Sequence, residues 1–405
     1  MKNSFSLPVG IKEYTTTNVN KIEFLCSTIL EESELWGYKK IITPIFETLD
    51  SLNVGLRQES LDKTIKFIDP MNGDVLGLRS DVTPQIARYV ASNNSIESMP
   101  LRLTYVERVI RNNFKEGRSK REIFQVGCEL IGLDTLESDL EAILLGSSII
   151  DKLGFDKQVI TLNSSLFLNY IFSRLPDIIE DDIKLLFYKK DYGSIRKYVK
   201  DKALNLKQRE FMKKFVLPII EGKKLPSKGL PKNIREGLDR IKVISKTLED
   251  SNASLRVQVD LLNVKDFDYY SDITFDIAVP EINEILLAGG RYNNLIGKYG
   301  KDAPAIGFGI NVLPLIKTLK SDQLGSPIVV IENTDLKNNA VFFETRDFFS
   351  SQGFISVLSN QPNPYSGKFD LKIKISKTGQ LTLFSNKNKK IASFKSLSDL
   401  QKEEF

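Results

Sequence analysis

Between Asn20 and Ile41 apolar residues return at helical spacing. Ile22, Leu25, Ile29 and Leu30 mark one face, and Trp36 to Tyr38 close the run through Gly37. The stretch "YKKIITPIFET" then reads as a strand. Pro44 places it at an edge or an interface, because proline donates nothing to a ladder. "TIKFIDPMNGDVLGLRSD" reads as a hairpin around Asn72-Gly73, and "VTPQIARYVAS" as a helix with Pro84 in its first turn. In "RLTYVERVIRNNFKEGRSKREIFQVGCELIGL" two β-like runs flank a basic loop, which predicts a long-looped antiparallel hairpin. "LESDLEAILLGSSIIDKLGF" is an amphipathic helix opened by acidic residues, as the helix dipole favours.

From about residue 165 to 250 the pattern changes to Lys-rich helical segments, a helical insertion with "KKLPSKGLPKN" as a loop. Strand alternation then returns at Val257, Val259 and Leu261 and at Ile273, Phe275, Ile277 and Val279, and "EINEILLAGGRY" adds a third strand. A boundary is expected in "KSDQLGSP", giving a core over 1–325 and a small α/β domain over 326–405. That tail reads as strand, helix, strand and a hairpin turning at "KTGQ". The order predicts an α+β fold with a largely antiparallel sheet, not a doubly wound parallel one. Neither a Walker A motif nor a GxGxxG after a strand is present.

Composition changes this picture at one point. The chain has 405 residues, 41% hydrophobic and 27% charged, with a net charge of +5, ordinary for a soluble protein and too small to argue for nucleic acid. Two cysteines, Cys26 and Cys128, make no disulfide framework. No apolar run approaches the roughly 18 residues of a membrane span, and the first residues lack the apolar core of a signal peptide, so a cytoplasmic protein is expected. But there are no histidines at all. Ser-His-Asp chemistry, Cys-His chemistry and His-rich metal sites are excluded, and any catalysis would rest on carboxylates, Lys, Arg or Tyr.

Four segments carry the candidate chemistry. In "LRSDVT", Arg79, Asp81 and Thr83 share a face if the stretch is extended; alone, it also reads as a solvated strand end. The basic hairpin and its loop hold Arg108, Arg111, Lys115, Arg118, Lys120 and Arg121, of which Arg111, Arg118 and Arg121 are candidate phosphate or anion ligands. The bland alternative is ordinary surface charge. On the return strand Gln125 and Glu129 lie four apart and share a face. In "NVKDFDYYSD", Asp268, Tyr269 and Tyr270 are read as the start of a strand, with one tyrosine toward a core and the other toward a pocket. Gly289 and Gly290 are read as letting backbone approach a ligand beside Arg291 and Tyr292, and "AIGFGI" repeats the device; a bulge is the alternative. Their conjunction on one sheet points to a small-molecule pocket.

The motifs "GYKKIITPIFE", "LRSDVTPQIAR", "GRSKREIFQVGCELIG", "DYYSDITF", "LAGGRYNNL" and "PAIGFGI", in this order over about residues 1–320, resemble the catalytic core of histidyl-tRNA synthetase. The resemblance implies a class II aminoacyl-tRNA synthetase-like fold, an antiparallel sheet flanked by helices, dimeric through the segment holding Pro44. It implies that Asp81, Thr83, Gln125, Glu129, Lys265, Tyr269, Tyr270 and Tyr292 bind histidine. The departures concern activation. Arg111 matches the arginine of the second motif, but Asn113 stands where that motif has glutamate. Leu313 and Pro314 stand where the third motif has Glu-Arg, and Lys265 where the synthetase has an arginine. Proline cannot replace a cation on a phosphate, and lysine lacks the planar fork.

A kept amino-acid half with a lost activating half is similar to the paralogous regulatory subunits of ATP phosphoribosyltransferase. "LRSDVTPQIAR" also looks closer to theirs. That resemblance implies a non-catalytic subunit without metal or cofactor, required by a short-form catalytic subunit for the first step of histidine biosynthesis. It further implies feedback inhibition by histidine and a hetero-octamer, with tRNA not expected as a partner. The tail is similar to a shortened anticodon-binding domain. A divergent histidyl-tRNA synthetase is the alternative.

Overall fold

The structure is a computed structural model. It describes residues 6–55, 64–93, 98–111, 121–200, 204–251, 255–265, 269–282, 284–319, 327–333, 339–360 and 368–403. The chain divides into two compact units, Met1–Leu319 and Lys320–Phe405.

The first unit is built on a sheet of eight strands among the described residues. In chain order the elements are α1 (Thr16–Leu35), β1 (Lys39–Lys40), β2 (Phe46–Thr48), α2 (Leu49–Gly55), β3 (Lys66–Ile68), β4 (Val75–Leu78), α3 (Thr83–Ser92), β5 (Leu101–Ile110), β6 (Glu122–Ile131), α4 (Leu136–Lys152) and β7 (Gln158–Ser164). A run of helices follows from Ser165–Phe172 (α5) through Asp177–Tyr188 (α6), Tyr192–Lys200 (α7), Leu206–Phe215 (α8) and Leu217–Ile220 (α9) to Lys232–Ser251 (α10). The sheet resumes with β8 (Leu255–Val259), β9 (Ile273–Ala278), β10 (Ile285–Arg291) and β11 (Ala305–Asn311).

Strand order is β1-β5-β6-β11-β10-β9-β7-β8. The interior pairs are antiparallel, while β1 lies parallel to β5 and β8 parallel to β7. The α+β expectation therefore holds, with parallel strands confined to the two edges. Helices α1 and α4 cover one face, where Leu25, Ile29, Ile143 and Ile149 pack against Val126, Phe275 and Phe308. Thr135 caps α4 by accepting from the Ser138 amide, with Glu137 and Asp139 in the first turn. The insertion has its own apolar core around Phe167, Ile183, Ile195, Met212 and Ile234.

Two local expectations are corrected. "YKKIITPIFET" is not one strand: β1 pairs with β5, whereas β2 joins the separate sheet β2-β4-β3. Arg79 fills the break, where Pro44 has no amide to donate. Its guanidinium donates to the carbonyls of Thr43 (2.9 Å) and Pro44 (3.2 Å), which a ladder would otherwise use. Tyr269 and Tyr270 likewise do not start a strand, because β9 begins at Ile273. The Asn72-Gly73 hairpin forms as expected, with Gly73 at φ 80°.

In the second unit the strand order is β13-β12-β14-β15-β16, formed by β12 (Ile328–Asn333), β13 (Ile355–Asn360), β14 (Leu371–Ile375), β15 (Leu381–Ser385) and β16 (Lys390–Phe394). Helix α11 (Asn339–Ser351) lies between β12 and β13, and Phe342 and Phe349 carry it onto the sheet.

Candidate functional site

Alternation along β6 sets up the site. Its even residues Phe124, Val126, Cys128 and Leu130 enter the apolar core under α1 and α4, so Gln125, Gly127 and Glu129 face the other side. On β11, Gly307 pairs with Glu129 and Gly309 with Gly127. These glycines make room for side chains. A Cβ at Gly307 would fall 1.6 Å from Glu129 Oε2, and one at Gly309 2.6 Å from Gln125 Nε2. Gly127 yields in the same way to the Tyr105 ring, 2.3 Å from its virtual Cβ. A cavity of about 630 Å³ opens over this floor, bounded further by Asp81, Thr83, Arg111, Lys265 and the tyrosines 269, 270 and 292.

Three buried carboxylates line the cavity; Asp276 is paired with Lys265, and Asp81 and Glu129 accept mainly from hydroxyls. Asp81 Oδ2 accepts from the Tyr269 hydroxyl at 2.7 Å, and Oδ1 from the Val82 amide at 2.9 Å. Glu129 Oε1 accepts from Thr83 at 2.8 Å, and Oε2 from Tyr292 at 2.6 Å. Burial pushes the Asp81 carboxyl up, against the pull of Arg111 and its hydrogen bonds. Burial pushes Glu129 up to about 8, with nearby Asp81 adding to the rise. Gln125 Nε2 donates to Tyr105 at 2.9 Å and to Asp81 at 3.4 Å. Tyr269 packs against Tyr270 and Tyr292 with ring centroids 4.9 and 5.9 Å apart.

Cations line the same cavity. Arg111 Nε donates to the Ser80 carbonyl at 2.9 Å, and Lys265 pairs with Asp276 at 2.5 Å. Behind the tyrosines the charges balance differently. Arg291 is fully buried and donates to Asp139 through Nε (2.9 Å) and Nη2 (2.5 Å), to Ser138 and to the Leu133 carbonyl. Arg240 from the insertion holds the other oxygen of Asp139.

The histidyl-tRNA synthetase family model matches residues 10–315, which contain every one of these side chains. The ATP phosphoribosyltransferase regulatory subunit of Geobacter metallireducens is 33% identical over 322 residues, 78% of this chain and 74% of that protein. The chain belongs to the histidyl-tRNA synthetase family, on its branch of ATP phosphoribosyltransferase regulatory subunits. A crystal structure from Bacillus halodurans C, described as an ATP phosphoribosyltransferase regulatory subunit/histidyl-tRNA synthetase, superposes with a TM-score of 0.73 at 25% identity, covering 89% of this chain and 94% of that one. The histidine–tRNA ligase of Sulfolobus acidocaldarius is 29% identical over 88% of this chain and 86% of its own length. The family thus includes regulatory subunits and ligases on one class II fold.

Among the sequence-derived candidates, Asp81, Thr83, Gln125, Glu129, Lys265, Tyr269, Tyr270 and Tyr292 all line the one cavity, as does Arg111. Arg121 is not among its lining residues, and Arg118, Lys115, Lys120, Asn113 and Asp268 lie outside the described residues. Arg108 turns to Glu122 (3.2 Å) and to the Phe124 ring, 4.4 Å from its centroid. Leu313 and Pro314 are buried, Pro314 opening a 3-10 turn.

Three readings need correction. Both adjacent tyrosines line the cavity, because the segment carrying them is not extended strand. Arg79, Asp81 and Thr83 do not share a face: Arg79 pairs with Glu107 at 2.5 Å. Gly289 and Gly290 admit protein, not ligand, since a Cβ there would meet Gly307 O and Phe275, or Ile273 O and Tyr270. Sequence reasoning missed Thr161, Tyr188, Lys190 and Asn263 on the far wall. Tyr188 and Lys190 come from the insertion, and no local pattern aims them at the sheet.

Proposed function

We propose that this chain is the non-catalytic regulatory subunit of an ATP phosphoribosyltransferase, and that its cavity binds histidine as effector. The observation that carries the ligand reading is the pair of buried carboxylates, Asp81 and Glu129, in a cavity of about 630 Å³. Tyr269, Tyr292 and Thr83 donate their hydroxyl protons to these groups. The oxygens keep lone pairs for further donors. Free histidine brings an ammonium and an imidazole N–H, and its carboxylate finds cations at Arg111 and Lys265. The likeness to the Geobacter metallireducens regulatory subunit supports the assignment.

Activation of the amino acid is not part of this reading. A synthetase stabilises charge on the transferring phosphorus with fixed cations. Leu313, Pro314 and Lys265 stand where the resemblance to the synthetase implies a Glu-Arg pair and an arginine. The partners are a short-form catalytic subunit and further copies of this chain in a hetero-octamer, in the cytoplasm and without tRNA. Among the described residues no helix is long and apolar enough to cross a membrane. Self-association is supported by apolar side chains around the small sheet. Ile42, Ile45, Phe46, Ile68 and Met71 are 79, 50, 45, 69 and 92% exposed.

The test is reconstitution. The chain is mixed with the short-form catalytic subunit from the same organism, ATP and phosphoribosyl pyrophosphate, and phosphoribosyl-ATP is followed with and without histidine. Activity that needs both chains and falls with histidine supports the reading. The likeness to the Sulfolobus acidocaldarius ligase favours a second reading, a divergent synthetase. Histidine-dependent exchange of pyrophosphate into ATP by this chain alone would establish it.

A further inference from the structure

The ionic cluster behind the tyrosine wall joins the insertion to the ligand cavity. Its core members are Arg291, Asp139, Asp134 and Asp272, and its one member from the insertion is Arg240 on α10. Arg240 holds Asp139 through Nε, and through Nη2 it donates to the Thr135 carbonyl at 2.7 Å. Asp139 is fully buried and Arg240 is 22% exposed, so the contact is only partly screened by water.

Two segments that carry pocket tyrosines are stapled together beside this cluster. The Ser271 amide donates to the Arg291 carbonyl at 2.7 Å, and the Asn293 amide to Ser271 Oγ at 2.9 Å. Arg291 also donates to Asn293 Oδ1 at 3.3 Å, and that oxygen receives the Ala305 amide at 3.2 Å. Tyr292 lies between the stapled residues and Tyr270 immediately precedes them. Asp272, next in the chain, is partly buried, and its Oδ1 finds no hydrogen-bond partner among the described residues. Burial raises its pKa, and among the nearby charges Arg240 opposes that most, ahead of Arg291. Without Arg240, Arg291 alone would face three carboxylates. Repulsion between Asp272 and Asp139 would then bear on the tyrosine segment.

We propose that Arg240 is a positioning residue for the cavity, through which docking of the helical insertion fixes Tyr269, Tyr270 and Tyr292 for the ligand. The identity of the ligand rests on the functional reading above; the positioning role does not. By linkage, what the docked insertion adds to ligand affinity, the bound ligand adds to docking of the insertion.

The test uses the full chain with and without histidine. In the ligand-free protein, Arg240→Met is expected to speed amide exchange at Ser271 and Tyr292. In calorimetric titration it weakens histidine binding roughly tenfold, and Arg240→Lys, which keeps the charge, regains part of the loss. Ile244→Ala, on the same helix and buried in the main core, serves as the stability control. It should leave histidine affinity close to the wild type. If Arg240→Met does not fold, Arg240→Lys carries the same comparison. Unchanged exchange and affinity in the Arg240 variants would overturn the proposal, as would equal losses in Ile244→Ala. If the wild type binds no histidine, the functional reading fails, and exchange at Ser271 and Tyr292 still decides the role of Arg240.

Discussion

Arg291 and Tyr292 are neighbours in sequence and face two unlike centres. Arg291 points into a cluster where Asp139 is gripped by two guanidiniums, with both side chains of the Arg291–Asp139 pair fully buried. Tyr292 points to Glu129, which among the described residues accepts from its hydroxyl and that of Thr83. In the first centre buried negative charge meets its counter-charge within the chain. In the second, burial pushes Glu129 up to about 8, so the carboxyl keeps its proton near neutral pH until a cation from outside favours its charged form. Charge paired within the chain builds the wall, and a carboxyl pushed up by burial faces the binding site.

The comparison is broken most severely from the compensated side. Arg291→Met should cost about 3–5 kcal/mol of unfolding free energy, because it strips a buried carboxylate of one partner. Denaturant unfolding of the full chain checks this, and a loss below about 1 kcal/mol would mean that the cluster is dispensable. On the other side Asp81→Asn should leave the unfolding midpoint close to the wild type and weaken histidine binding at least about tenfold in titration. Gly307→Ala tests the space itself. A methyl group there meets Glu129 Oε2, so histidine affinity should fall without any change of charge.

The pH dependence sharpens the contrast. Glu129, pushed up to about 8 in the folded chain, binds its proton more tightly than an unfolded glutamate does. Its contribution to stability is full below the unfolded pKa near 4.5 and is lost as pH rises through about 8. Glu129→Gln should flatten that stretch of the stability profile, and an unchanged slope would place the titration elsewhere. The smallest effect belongs to Arg108. Its pair with Glu122 is 58% exposed on the arginine side, so Arg108→Ala should cost under about 1 kcal/mol and leave histidine affinity unchanged.

Much of this was legible in the sequence because it is local. The period of Ile22, Leu25 and Ile29 gives α1, and the two runs around the basic loop give the paired β5 and β6. Gln125 and Glu129 share a face because strand alternation admits no other result. The rest depends on distant partners. Asp139 reads as an ordinary first-turn acid, yet its two arginines are 101 and 152 residues away. Arg291 and the glycines before it resemble a ligand loop, and only the packing of β10 between β9 and β11 turns them inward. Pro44 places "YKKIITPIFET" at an edge or an interface but does not reveal that it splits in two, and Arg79, whose guanidinium takes the carbonyls at the split, comes from a later segment.

The most direct measurement is histidine inhibition in the reconstituted ATP phosphoribosyltransferase, with the wild-type chain compared against Asp81→Asn. We expect that Asp81→Asn still supports phosphoribosyl-ATP formation by the catalytic subunit but needs at least about tenfold more histidine for the same inhibition. Inhibition at the wild-type histidine concentration would contradict it and place the effector outside this cavity.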